Sequence, residues 1–329
     1  MDKFMRKFGM NGRSVVPLIS GVACAVPAIM ATRSIDNWKN RMITIFVTPL
    51  MSCSARIPVF TILIALVVPE QKVLGILNLQ GLTLMGLYFL GFAAAVITGA
   101  AMNLILKNKQ KSYFIMELPS YKMPRWKNVG LTIIQKVKTF VFEAGKVIVA
   151  ISIVLWVLAS YGPSESMNNA TNSAAEYAEV HGLTATEAGN LEASRKLEAS
   201  YAGHFGKMIE PAIRPLGFDW KIGIAIITSF AAREVFIGTM STIYSVGSDE
   251  QNTIREKMKS EINVNTGKPM YSLALAFSLL IFYVFAMQCM STVAVVYRET
   301  QSWKWPLIQF IYMTLLAYTG SYLTYEMLK

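Results

Sequence analysis

Three thiols, each close to a proline or to small hydroxyl residues, are where this sequence has the means to do chemistry. Cys24 stands in Gly21-Val-Ala-Cys24-Ala-Val-Pro27-Ala28, three residues before a proline. Proline has no N–H, so the carbonyl four residues upstream loses its helical donor. A thiol and a released carbonyl at one depth supply part of a cation site. Ser52-Cys53-Ser54-Ala55-Arg56-Ile57-Pro58 repeats the logic with hydroxyls on both sides of the thiol, and Cys289 lies in Met287-Gln288-Cys289-Met290-Ser291-Thr292. Sulfur ligands select soft or borderline metals. A transported ion has to leave again, which calls for a weak or incomplete ligand set. Met51, Met287 and Met290 adjoin these thiols. The competing reading is packing, because free cysteine behaves as a small hydrophobe, and residue types alone leave both open.

The other chemical feature is a charge pair in an apolar segment, Arg233-Glu234. A charge at the centre of a bilayer costs about 2.5–3.5 kcal/mol on insertion scales. Neighbouring residues point to different helix faces, so Glu234 is a candidate cation or proton site while Arg233 pairs elsewhere; a structural ion-pair network is the equal alternative. Arg56 reads as a counter-charge or clamp, since guanidinium only donates. Glu143 and Lys146 are spaced as an interfacial pair, and His181 and His204 as surface residues. There is no G-x-x-x-x-G-K-[ST], H-E-x-x-H, C-x-x-C or G-x-S-x-G, and no nucleophile–base pair that would make the chain an enzyme.

These residues need a membrane scaffold. The chain has 329 residues, 31 Lys+Arg against 20 Asp+Glu, a net charge of +11, 53% hydrophobic and 16% charged residues. Soluble domains carry about 25% charged residues. The basic residues fall in short loops between apolar runs, unlike a nucleic-acid-binding face. Three cysteines inside apolar segments make no disulfide framework. We read seven candidate segments: 15–31, 42–68, 73–106, 139–161, 222–246, 272–297 and 305–325, the last edged by Trp303, Trp305, Tyr322 and Tyr325 like an interfacial belt. Residues 107–138 hold eight basic residues and one acidic, Glu117, so the positive-inside rule makes that loop cytoplasmic. Residues 162–219, with eight acidic and four basic residues, then form an acidic outer loop. Both ends of the first segment carry basic flanks. A re-entrant hairpin broken at Pro17, Gly21 and Pro27 satisfies the rule where a straight crossing does not. Irregular backbone at membrane depth has to be buried in protein or line a water-filled path.

The first and fifth segments also align: Arg13–Ser20 can be laid on Lys221–Ser229, each with a basic entry, apolar turns and then a serine. The fold class expected is all-α, a polytopic helical membrane protein with broken or re-entrant helices and an inverted repeat of the secondary-transporter kind. The domains expected are a first gate region at 1–138, incomplete at its N-terminus, and a second at 139–329.

Six ordered strings resemble the membrane part of the ferrous iron transport protein B (FeoB) family: 12–33, 48–60, 114–124, 142–159, 218–238 and 296–307. The resemblance implies a bacterial inner-membrane Fe(II) importer with two gate motifs, around Cys24 and around Arg233-Glu234. It makes Cys24 and Cys53 the leading iron contacts, with Glu234, Cys289 and Met51 behind them and Pro27, Arg56, Pro58 and Arg233 as gate or structural residues. Fe(II) is cargo and no cofactor is stably held. Family members begin with a GTP-binding domain, so this chain resembles the C-terminal portion, and GTP enters only through a domain absent from it. Many relatives have proline where this chain has Gln288, which lowers Cys289. Implied partners are the lipid bilayer, a GTPase domain in cis or trans, small accessory iron-transport proteins and a homo-oligomeric copy, with no nucleic acid. Two rivals remain: a gate-type transporter of an organic solute such as a nucleoside, and a membrane scaffold that anchors a GTPase through the basic loop.

Overall fold

The computed structural model describes residues 12–73, 77–106, 125–181, 185–230, 235–244, 271–287 and 289–329, with residues 5, 10, 123, 233 and 258. Its helices are α1 (Val15–Ala23), α2 (Ala25–Ala31), α3 (Trp38–Val47), α4 (Ile57–Val67), α5 (Leu79–Ile105), α6 (Trp126–Ser160), α7 (Ser164–His181), α8 (Ala185–Ala199), α9 (Tyr201–Ile213), α10 (Trp220–Thr228), α11 (Val235–Ile243), α12 (Leu273–Phe285), α13 (Met290–Thr300) and α14 (Lys304–Leu328). Two short strands, β1 (Lys72–Val73) and β2 (Leu77–Asn78), pair antiparallel before α5. Several helices start on a side chain that accepts an orphan N–H. Asn37 accepts from Asn40, Asp219 from Ile222 and Ser272 from Leu275.

The first segment is interrupted, but not where the prolines suggested. Cys24 is extended, with φ −156° and ψ 135°, between α1 and α2. Pro17 and Pro27 instead sit third in their helices, in the first turn, where a missing N–H costs no intrahelical bond. The two halves fold back on each other. A methyl built on Gly21 would lie 3.8 Å from the Cβ of Ala28, whereas seven residues along a straight helix span about 10 Å. Pro58 likewise opens α4 at its second position, and Pro49 opens a 3-10 turn, Thr48–Leu50.

A second hairpin has the same form. Between α10 and α11, Thr228 Oγ1 meets Thr239 Oγ1 at 2.8 Å. Each hairpin precedes an interrupted apolar span, Trp38–Val67 in one case and Leu273–Thr300 in the other. A long helix then follows, α5 or α14. The resemblance between the first and fifth segments is thus the opening of a longer architectural repeat: hairpin, broken span, long helix.

The chain divides into two compact units, each assembled from three stretches: 1–54, 89–150 and 290–310 in the first, and 55–88, 151–289 and 311–329 in the second. In the first unit α13 packs on α2. The core there is Val26, Ile29, Met42, Ile45, Phe46, Val295 and Val296, with Cys24, Met102 and Trp305 against it. In the second unit α4 packs on α11 and α12. Each unit therefore combines one hairpin, the first half of the span that follows it, and the second half of the other span.

Among the described residues, three helical segments are long and apolar enough to cross a membrane, or four if the bent pair 145–160 and 164–180 counts as one. The seven segments read from hydropathy are not seven straight crossings. The first and fifth are hairpins of short helices. The run 73–106 resolves into a strand pair and α5, and the polar Gln309, Thr314, Thr319, Ser321 and Thr324 keep α14 below the apolar threshold. The acidic stretch expected as a loop at 162–219 is mostly helical, as α7, α8 and α9. Its Ala, Glu, Leu and Lys residues are strong helix formers, and Glu192 and Lys196 pair at 2.6 Å one turn apart.

Candidate functional site

The hairpin and the broken span of the first unit meet at their interruptions. Ser54 Oγ donates to the carbonyl of Ala23 at 2.9 Å. Ala23 is the last residue of α1, so its carbonyl has no helical donor. This pair sets Cys24 and Cys53 one residue away from a shared hydrogen bond. It also gives the carbonyl expected to face a cation one hydrogen-bond donor already. The contact extends along α1: a Cβ on Gly21 would fall 3.3 Å from Thr48 and 3.8 Å from Met51. On the far side, α5 presses on the interruption at Gly91, where a Cβ would sit 3.0 Å from Ser52 Oγ and 3.1 Å from the Leu50 carbonyl.

The three cysteines are half-buried and form no disulfide. Among the described residues, no three His, Cys, Asp or Glu side chains converge as a metal cluster. Around Cys24 and Cys53 the further donors are Met51, hydroxyls and carbonyls. In the same unit the Ser291 hydroxyl, two residues past Cys289, is buried and has no hydrogen-bond partner among the described residues. Cys289 itself falls in the second unit. Arg56 is almost wholly buried at the head of α4.

In the second unit Arg233 performs a definite task. Its guanidinium donates to the carbonyls of Tyr283 at 3.1 Å and Ala286 at 2.9 Å. Tyr283 lies in the last turn of α12 and Ala286 caps it, at the negative dipole end that favours a cation. The Tyr283 hydroxyl is held by Ser229 at 3.0 Å. Arg233 thus joins the second hairpin to the end of α12, just before the interruption that carries Cys289. Glu234, Gln288 and 107–122 lie outside the described residues, as do the side chains of Glu143 and His181.

One cluster carries no motif in the sequence. The Glu299 carboxylate, 2% exposed, accepts from Arg33 at 2.6 Å and Arg41 at 2.7 Å. Arg33 and Arg41 read from the sequence only as basic flanks. Their partner is 258 residues or more away, at the end of α13, so no local spacing could reveal it. Arg13 pairs with Asp36 beside them.

Comparison with known proteins now decides the family. The Gate (nucleoside recognition) model matches 1–67 and 141–303, and the model for the ferrous iron transport protein B C terminus matches 84–136. The chain belongs to the FeoB family. A FeoB protein named Fe(2+) transporter from Leptospira interrogans is 45% identical over 99% of this chain and 44% of its own length. Another from Leptospira biflexa is 41% identical over 100% of the chain and 45% of its own. A Porphyromonas gingivalis relative, 37% identical over 99% of the chain and 39% of its own length, is named an Fe(2+) transport protein A/Fe(2+) transporter FeoB fusion. The chain spans less than half the length of these relatives. No solved structure matches it. The Gate and FeoB C-terminus models and the apolar helices make this a multi-pass membrane protein with the gate and C-terminal membrane regions of its family.

Proposed function

We propose that the chain is the permease portion of a ferrous-iron importer in a bacterial inner membrane, that it catalyses no reaction of its own, and that Fe(II) passes Cys24 and Cys53 as transient contacts. The observation that carries this is the Ser54–Ala23 hydrogen bond, which brings the two cysteine-bearing interruptions together inside one unit. Sulfur, hydroxyl and carbonyl donors there suit a borderline-soft ion that must be released. Met51 adds a thioether, while Glu234 and Cys289 are later contacts or gate residues. Energy or regulation comes from a GTPase domain in cis or trans. The fusion seen in the Porphyromonas relative supports a small accessory iron-transport partner. Self-association is part of the same reading.

Uptake of labelled ferrous iron, in cells whose own ferrous importer has been deleted, tests it. Cys24→Ser with Cys53→Ser should lower uptake at least tenfold at unchanged membrane level. Uptake equal to the parent protein would remove both cysteines from the path. The nucleoside-recognition character of the Gate family supports a second reading, transport of a nucleoside. Competition decides between them: unlabelled Mn(II) or Zn(II) should compete on the iron reading, and uridine on the other. The scaffold reading predicts GTPase binding with no ion flux in liposomes.

A further inference from the structure

Pro49 sits at the second position of the 3-10 turn that ends the first half of the broken span. With no N–H, it can serve neither the carbonyl four residues back, Ile45, as an α-helix requires, nor the one three back, Phe46, as a 3-10 turn requires. Those two carbonyls are the ones that a remote side chain takes. Gln309 of α14 donates its amide nitrogen to Ile45 at 3.2 Å and to Phe46 at 3.3 Å. The side chain is fully buried. Its Oε1 has no hydrogen-bond partner among the described residues, so the amide faces its two hydrogens to the carbonyls at the expense of its own oxygen. Leu50 and Met51 follow directly, then Cys53.

We infer that Gln309 is a positioning residue for the interruption that carries Cys53: it replaces the donor that Pro49 withholds and so fixes where α3 stops. The arrangement parallels Ser54 on Ala23, where a remote side chain also occupies a carbonyl left without a helical donor. The placement of Cys53 stands on this geometry alone; the consequence for iron flux rests on the permease reading above.

The test uses the whole protein in membranes and reads two signals, the rate at which Cys53 reacts with a maleimide (Cys24 and Cys289 replaced by Ser) and Fe(II) uptake in the chain with all cysteines. Gln309→Met keeps the length and removes the donor. It should change the Cys53 labelling rate at least threefold and lower uptake at least fivefold. Pro49→Ala restores a backbone N–H able to serve Ile45 or Phe46, so the double variant P49A/Q309M should return labelling to within twofold of the parent. A role in packing alone predicts no such rescue. Parent-like labelling in Q309M, or a double variant no nearer the parent than Q309M, overturns the inference. If Q309M fails to accumulate in membranes, accumulation of P49A/Q309M supports it and failure of both overturns it. Unchanged uptake in the Cys24/Cys53 serine variant would remove both cysteines from the iron path and leave the labelling result intact.

Discussion

Ser54 Oγ lies 2.9 Å from the carbonyl oxygen of Ala23, and it donates across from the broken span to the first hairpin. This bond is a direct link between the two cysteine-bearing interruptions. Ser54→Ala removes the donor, at a net cost of about 0.5–1.5 kcal/mol. A several-fold loss of Fe(II) uptake is expected with little loss of protein, and Ser54→Thr, which keeps the hydroxyl, should recover most of it.

Glu299 is buried between Arg33 and Arg41. Removing one partner of a buried pair costs about 3–5 kcal/mol, and the half-exposed Arg33 lowers that figure here, since exposed pairs contribute little. Glu299→Leu should lower the melting temperature in detergent more than Glu299→Gln, which keeps an acceptor for the two arginines. Equal losses would show that the charge itself, and not the acceptor, matters.

Arg233 closes the end of α12 with two hydrogen bonds from a charged donor. Arg233→Met should destabilise the protein by about 2–3 kcal/mol, the range for a bond to a charged group. Arg233→Lys can reach one carbonyl and should fall between the two. Thermal unfolding followed by fluorescence-detected size exclusion measures all three.

Gly217 ends a 3-10 turn with φ +85°, and a Cβ there would sit 2.3 Å from the ring of Tyr325. Gly217→Ala therefore meets both a left-handed backbone, costing about 1–3 kcal/mol, and a clash. Pairing it with Tyr325→Ala should relieve the clash and leave the backbone cost, so the double variant should be more stable than the sum of the two single losses.

Proline, cysteine and hydroxyl types at short spacing marked both interruptions of the first unit. The location of the turn could not be read from them. Cys24 rather than Pro17, Gly21 or Pro27 is the extended residue, because proline in a first turn starts a helix as readily as proline in an interior breaks one. Hydropathy located the apolar runs but measured neither their interruptions nor the helices in 162–219, whose propensity is high and whose polarity hid it. What joins the site together was invisible for a simpler reason. Gln309 reaches Ile45, Arg33 reaches Glu299 and Arg233 reaches Tyr283 across separations of 264, 266 and 50 residues, and spacing along one chain carries no signal at that range.

Because α13 completes the first unit and α4 belongs to the second, neither can finish assembling while the ribosome is still making the other. The first hairpin, α1 and α2, must wait in the bilayer, its apolar side uncovered, until the chain has been translated through to α13. Such distant contacts are slow to form and leave unfinished chains open to wrong partners. Mutations in α13 should therefore show themselves first as failed biogenesis, caught by membrane proteases, before any defect in a mature carrier can be measured.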